Sequence, residues 1–319
     1  MDTITFCYSN HRSEILAEME DVMLGSDMIV VEEPPHPAFA SMLAGKTDIE
    51  DILLELDFEY PHFIRRYYRM LQRVHGMGKT IVQIEPFVEI LLQIHDFFAD
   101  GHAPEEIDKN DEMHDVYCAE KEATYHLIEF YKASRSPNYD GLLKALRSFA
   151  RADAARFLLR DTLRADAITA MLETGVAACI EAGNMHRQLF TIMAQKRLSN
   201  WSLQSRFLEE EIAVGLGGPD RILSPGDELT LAYISGEHMP THLEELLSAR
   251  ALIYSKIIIK EEIQDSRLKY PHLTDEIQSI EIVNTLSLDE CRELYQHLQP
   301  LSTVETRRRV EAFVAEGKM

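Results

Sequence analysis

The chain has 319 residues, of which 45% are hydrophobic, so it is long enough to bury one large core or two ordinary ones. Its 54 acidic residues outnumber its 32 basic ones, and the net charge of -22 at pH 7 disfavours nucleic acid and anionic membrane surfaces as partners. The N-terminus shows no secretory pattern, no apolar run is long enough to cross a bilayer, and the four cysteines form no CxxC pair. We therefore expect a soluble, cytoplasmic protein with reduced thiols.

Short apolar or β-branched runs bounded by turn residues predict strands. In chain order the runs are Ile4 to Tyr8, Met28 to Val31, Thr80 to Ile84, Val176 to Ile180 and Leu229 to Ile234, with Ile280 to Val283 as a weaker sixth. The amphipathic stretches between them, with apolar residues three and four apart, predict helices. This alternation is typical of an α/β fold with a mostly parallel central sheet covered by helices.

The alternation is interrupted between about residues 86 and 174, where helical periodicity without a convincing strand predicts a large all-helical insertion. The segment GLGGPDRILSPGDE, which begins at Gly215, is rich in Gly and Pro and is the best candidate for an internal boundary. Further helices are predicted near His242 to Gln264, Leu288 to His297 and Val304 to Ala315. We expect an α/β core over residues 1–215 and a helical C-terminal part over residues 216–319 that completes or extends the same domain.

Polar side chains follow four of the predicted strands, at the edge of the sheet where open α/β folds bind ligands. In chain order they are His11, then Glu32 and Glu33, then Glu85, and finally Glu181 and His186. One such residue is more often a helix cap or a solvated loop residue, but four strand ends in series are harder to explain in that way. If the strands are parallel neighbours, these side chains converge on one polar site.

These residue types suit two kinds of chemistry. Imidazole and carboxylate groups bind divalent transition metals such as Mn, Co, Zn or Fe, and they also serve metal-free acid–base catalysis near neutral pH. The candidate metal ligands are His11, His186, Glu32, Glu33 and Glu85. Of these, His11, His186 and Glu32 are also the candidate catalytic groups. The spacing alone does not decide between the two chemistries, since no HExxH motif is present.

Arg156, Arg160 and Arg164 recur at four-residue spacing, which places them on one face of a helix ahead of the fourth strand. Three like charges in a row need carboxylate partners or an anionic ligand, and in so acidic a chain we favour ion pairs. Arg160 is the candidate for steadying an anionic group in the site. The acidic run from Glu209 to Glu211 is interpreted as a solvated helix face.

The order of these motifs resembles the superfamily that joins the erythromycin esterases, the ChaN haem-binding lipoproteins, and the TraB and Tiki proteins. The resemblance covers roughly Ile4 to Leu189. Gly183 and His186 match the second GxxH motif of that family, and His11 occupies the histidine of the first. Glu32 matches the family glutamate, and Arg160 with Asp161 matches its arginine-bearing helix. Tyr8 stands where the first motif has glycine.

The resemblance implies two functions that we keep open. The leading one is a hydrolase that acts on a small molecule or a peptide through the His and Glu residues, with or without a divalent metal. The alternative is a non-catalytic protein of the same fold that binds a metal, a small molecule or, less favoured, haem. In a third interpretation, the predicted helical insertion is a surface that binds a partner. The sequence does not decide whether the chain forms a homo-oligomer.

Overall fold

The chain forms one five-stranded parallel sheet in a computed structural model that describes residues 2–55, 58–172, 175–196 and 201–317. The strands are β1 (Asp2–Ser9), β2 (Met28–Val31), β3 (Thr80–Gln83), β4 (Ala178–Gly183) and β5 (Trp201–Phe207). Their order across the sheet is β3-β2-β4-β1-β5, and each neighbouring pair is parallel. The predicted α/β class with a parallel sheet is confirmed.

Helices account for most of the remaining described residues. They are α1 (Leu16–Leu24), α2 (Phe39–Leu43), α3 (Ile49–Glu55), α4 (Pro61–Gly76), α5 (Pro86–Ala99), α6 (Glu112–Ala133), α7 (Tyr139–Met171), α8 (Arg187–Gln195), α9 (Leu208–Gly215), α10 (Pro225–Ser235), α11 (Thr241–Ile257), α12 (Pro271–Asn284), α13 (Leu288–Leu298) and α14 (Thr303–Gly317). The predicted helical insertion is confirmed over residues 86–172 by α5 to α7. Its last two predicted residues, 173 and 174, lie outside the described residues.

Alternate residues of the strands enter two apolar cores, one on each face of the sheet. On one face, Cys7, Ile29 and Val31 pack with buried side chains of α1 and α4. On the other face, Phe6 and Ile180 pack with buried side chains of α7 and α8. Burial on both faces explains why these strands are nearly continuous apolar runs in the sequence.

Leu229 to Ile234, predicted as a strand, lies in α10, so that prediction was wrong. The side chain of Ser224 accepts a hydrogen bond from the Asp227 amide, and the Asp227 side chain accepts one from the Ser224 amide. Pro225 occupies the first helical position, and the helix ends at Gly236 with φ of +70°. A capping box followed by proline begins a helix, and the apolar LTLAYI segment continues it because it is buried within a helical unit.

Two further strand predictions differ from the structure. Ile280 to Val283 lies in α12. The strand β5 was not predicted, because only Trp201, Leu203 and Phe207 of its seven residues are apolar and they alternate with exposed polar ones. Because most of its residues are exposed, β5 shows alternation of apolar and polar residues instead of an apolar run.

The chain divides into two compact units. The first, Met1–Tyr117 with Leu159–Asp220, contains the sheet and both of its cores. The second, Cys118–Leu158 with Arg221–Met319, is helical in its described residues and has a core of its own. None of the described helices combines the length and the apolar character that crossing a membrane requires.

Candidate active site

The carboxyl ends of β2, β4 and β1, which lie side by side in the sheet, bring together the polar residues that follow them or end them. Glu32 follows β2 and His11 follows β1, while Glu181 and Gly183 lie at the end of β4. β1 and β4 are neighbours in the sheet, and the connections that follow them run in opposite directions. The connection after β1 leads to β2 on one side of this pair, and the connection after β4 leads to β5 on the other side. Such a reversal of direction opens the crevice in which α/β sheets bind their ligands.

His11 is held against Glu181 by a strained backbone. Its φ is +52°, in the left-handed region that costs a residue other than glycine about 1–2 kcal/mol. This conformation brings His11 Nε2 to 2.6 Å from Glu181 Oε1, beside the ring of Phe63. The His11 side chain is 35% exposed and that of Glu181 only 2%. Strain stored in a residue at the opening of a polar crevice is typical of a functional group.

The surroundings of His11 are negatively charged. Burial lowers the pKa of His11, but nearby carboxylates outweigh that effect and raise it to about 9. Those carboxylates belong to Glu181, Glu32 and Glu209. The crevice therefore favours positive charge at this position.

Both carboxylate oxygens of Glu32 contact hydrogen-bond donors. Oε1 lies 2.9 Å from His186 Nε2 and 3.1 Å from Arg160 Nη2. Oε2 accepts a hydrogen bond of 2.7 Å from the Gly183 amide and lies 3.4 Å from Arg164 Nη1. Burial raises the pKa of Glu32, but His186 and the two guanidinium groups lower it well below its usual range. Glu32 is therefore ionised and fixed in orientation.

His186 has a carboxylate at each ring nitrogen. Nδ1 lies 2.5 Å from Asp161 Oδ1 and Nε2 lies 2.9 Å from Glu32 Oε1, and the side chain is 3% exposed. Burial lowers the pKa of His186, but Glu32 and Asp161 outweigh it and raise the value to about 9. The side chain is thus an imidazolium that orients Glu32, with no nitrogen directed at solvent.

The three predicted arginines all have carboxylate partners, as the acidic composition indicated. Arg156 pairs with carboxylates of α6 and α7. Arg160 pairs with Glu32 at 3.1 Å and with Glu85 at 3.3 Å, and it is 20% exposed. Arg164 is fully buried between the same two glutamates, at 3.4 and 3.9 Å. Of the two site arginines, Arg160 is the one that solvent reaches.

Glu209 is a site residue that sequence reasoning assigned wrongly, since it is not a solvated helix residue. It is 3% exposed, and its Oε1 accepts a hydrogen bond of 2.7 Å from the Asn10 amide. Burial raises the pKa of Glu209 to about 7. The available signal was its position two residues after β5, equivalent to that of His11 after β1, and it was missed because β5 was missed.

Three side chains lie close enough together to hold a metal ion. His11, Glu32 and Glu181 each offer one ligand atom, and these atoms all lie within 4.8 Å of one another in the described structure. One imidazole with two carboxylates suits Mn, Fe, Co or Zn, and three protein ligands leave coordination positions for water. A methyl group on Gly183 would come within 3.6–3.7 Å of His186, Glu32 and His11, so glycine keeps the space between them open. The residues present therefore fit a divalent ion.

The predicted ligands separate into two sets. His11 and Glu32 belong to the group of three. His186 is engaged at both nitrogens, and Glu85 pairs with the arginines. Glu33 accepts hydrogen bonds from a tyrosine and a glutamine, and burial raises its pKa to about 7.

Glu181 joins the group from inside β4, and the sequence marked it as the one charged residue in the strand ACIEAG. Sequence reasoning noted it after the strand but gave it no role. Tyr8, which stands where the similar family has glycine, turns its ring into the apolar core and stacks on Phe207 at 4.7 Å. It leaves the contact between His11 and Glu181 intact.

The comparisons with known proteins describe no function. A protein of Archaeoglobus fulgidus described as uncharacterized is 28% identical to this chain over 290 residues, which cover 90% of this chain and 96% of that protein. No protein-family model matches the chain, and no solved structure matches it. The function therefore has to be argued from the site itself.

Proposed function

We propose that this protein is a metal-dependent hydrolase of the superfamily that it resembles, with His11, Glu32 and Glu181 as the ligands of one divalent ion. The observation that carries the proposal is the convergence of these three side chains at the carboxyl edge of the sheet. It is supported by Gly183, which leaves space beside two of the three ligands, His11 and Glu32.

The charge of the site also favours a divalent cation. Six carboxylates meet here, those of Glu32, Glu33, Glu85, Asp161, Glu181 and Glu209. They face four cationic groups at most, the two guanidinium groups and the two imidazoles. Carboxylates thus outnumber the cationic groups, and this excess favours an added cation at the site.

His11, Glu32 and Glu181 would hold the divalent ion, which would supply Lewis acidity and lower the pKa of a water molecule at the site. His186 and Arg164 hold Glu32 so that its carboxylate keeps one orientation. Arg160, partly exposed beside Glu32, donates to the negative charge that develops on the substrate. The substrate class that suits this set is a small molecule or a peptide with a hydrolysable carbonyl group.

The test is turnover of a panel of esters, lactones and peptides by the full chain loaded in turn with Mn, Co or Zn. We expect hydrolysis by wild type and at least about a hundred-fold loss in Glu181→Gln, because one ligand of the ion is lost. Glu33→Gln is the matched control, since its carboxylate lies outside the group of three, and it should retain activity within a few fold.

Gly183→Ala provides a second variant that leaves every ligand atom in place. The added methyl group makes only ordinary contacts, so the fold is kept while the space between His11 and Glu32 is filled. We expect it to lower turnover without lowering the melting temperature. A wild-type protein that binds the ion but hydrolyses nothing in the panel would contradict the hydrolase proposal and favour the non-catalytic binding function.

A further inference from the structure

The second unit contains a cavity that the proposed hydrolase site does not use. Its volume is about 470 Å³, within the range of roughly 300–1,000 Å³ that is usual for small-molecule sites. Side chains of α6, α7, α11 and α13 line it, together with the residues that begin α10. All of them belong to the second unit, whose core packs beside it.

Most of the lining is apolar or aromatic. Phe130, Phe149, Tyr254 and Tyr295 contribute rings, and leucine and alanine side chains cover much of the remaining wall. Walls that are mostly apolar with a few polar groups are typical of sites that bind small molecules. The exposed Tyr131 stands at its edge, so the space is reached from solvent.

The charged residues of the lining are all of one sign. Lys256 and Lys260, four residues apart where α11 ends, both line the cavity, and none of the sixteen lining residues is Asp or Glu. No ion pair within the described residues engages either lysine, although the chain carries 54 acidic residues against 32 basic ones. Two ammonium groups beside an apolar wall match a ligand that has one anionic end and an apolar body.

We infer that this cavity is a binding site for an amphipathic carboxylate, such as a medium-chain fatty acid. The apolar body lies against the aromatic wall, and Lys256 and Lys260 bind the carboxylate. A cation at the C-terminal end of α11 is also stabilised by the helix dipole, so the test has to measure ligand binding and not stability alone. This inference is independent of the proposed hydrolase activity.

The experiment measures displacement of 8-anilinonaphthalene-1-sulfonate from the full chain by decanoate and by decan-1-ol, which share the apolar chain but differ in charge. We expect decanoate to bind wild type at least ten times more tightly than the alcohol. The double variant Lys256→Gln with Lys260→Gln should lose at least ten-fold in decanoate affinity and keep its affinity for decan-1-ol. Lys144→Gln, on an exposed position of α7, is the matched control and should bind both like wild type.

A second variant locates the ligand. Ala251→Leu places additional atoms in the cavity without changing charge, and we expect it to weaken both ligands while circular dichroism reports an unchanged helix content. Equal affinity of wild type for decanoate and decan-1-ol would overturn the inference. So would decanoate binding that survives the double lysine variant, or ligand binding that is unaffected in a folded Ala251→Leu protein.

Discussion

Glu209 is a buried carboxylate of the site, and it contributes a pH dependence of known sign to the stability of the protein. Its pKa is raised by burial from 4.5 to about 7, so between these values the folded chain binds a proton that the unfolded chain has lost. The contribution of Glu209 to the free energy of unfolding therefore falls as the pH rises from about 4.5 to 7 and is lowest above 7.

Glu209→Gln removes this effect and keeps an oxygen for the Asn10 amide. We expect the variant to be more stable than wild type by about 2–3 kcal/mol at pH 8 and by less than about 1 kcal/mol at pH 5. Urea unfolding in the presence of a chelator measures both values. Glu210→Gln, which removes a partly exposed ion pair with Arg187, is the control and should shift stability by no more than about 1 kcal/mol at either pH. An equal effect of Glu209→Gln at the two pH values would show that burial does not hold its proton.

At the scale of elements, α7 joins the site to the sheet through one buried side chain. Arg164 donates to the backbone carbonyls of Ile84, which follows β3, and of Glu181 in β4, at 3.0 and 2.6 Å. It also lies against the carboxylates of Glu32 and Glu85. The guanidinium group of Arg164 thus contacts the ends of β2, β3 and β4. Among the side chains, only a guanidinium group has enough N–H donors in one plane for all of these acceptors.

Arg164→Met leaves two carboxylates and two carbonyls buried without this partner. We expect a loss of about 3–5 kcal/mol in the free energy of unfolding, because an uncompensated buried charge costs far more than a surface pair contributes. The control is Arg73→Met on α4, which breaks a solvent-exposed pair with Glu20 and should cost about 1 kcal/mol or less. A similar loss in both variants, measured by urea unfolding, would contradict the role assigned to Arg164.

The elements that the sequence predicted well are those with a strong local pattern. Strands β1 to β4 and the long helices α6 and α7 follow from apolar runs and from helical periodicity, and the strand order then brings His11 and Glu32 together. The segment LTLAYI was misassigned because β-branched and aromatic residues suit a buried helix as well as a strand, and the signal at Ser224 lies before the segment. Periodicity is a local property, so it does not reveal which side chains meet.

The same limit explains which parts of the site were missed. Glu181 lies inside a strand, and its contact with His11 depends on β1 and β4 being neighbours in the sheet. These two strands are far apart in the sequence, since 168 residues separate Ser9 from Ala178. The engagement of His186 at both nitrogens depends on α7 placing Asp161 next to it. Neither the contact between Glu181 and His11 nor the two contacts of His186 can be deduced from the residue spacing within one segment.

At the scale of the whole molecule, two compact units divide the proposed functions between them. The first unit holds the His and Glu site, and the second holds the cavity with two lysines. A net charge of -22 raises the local concentration of cations around the protein and repels anions. The overall charge therefore favours loading of the first site with a cation, whereas an anionic ligand of the second site relies on its lysines and its apolar wall.

The metal content of the whole chain tests the central claim most directly. The protein is purified without an affinity tag, loaded with Mn, Co or Zn, dialysed and analysed by plasma mass spectrometry. We expect about one ion per chain in wild type and in Glu33→Gln, and almost none in His11→Ala or Glu181→Gln, since each of these loses one of three ligands. His186→Gln, which removes only the group that orients Glu32, should weaken binding by about 10–100-fold without abolishing it. Wild-type protein that retains no ion, or His11→Ala and Glu181→Gln variants that retain it fully, would contradict the account.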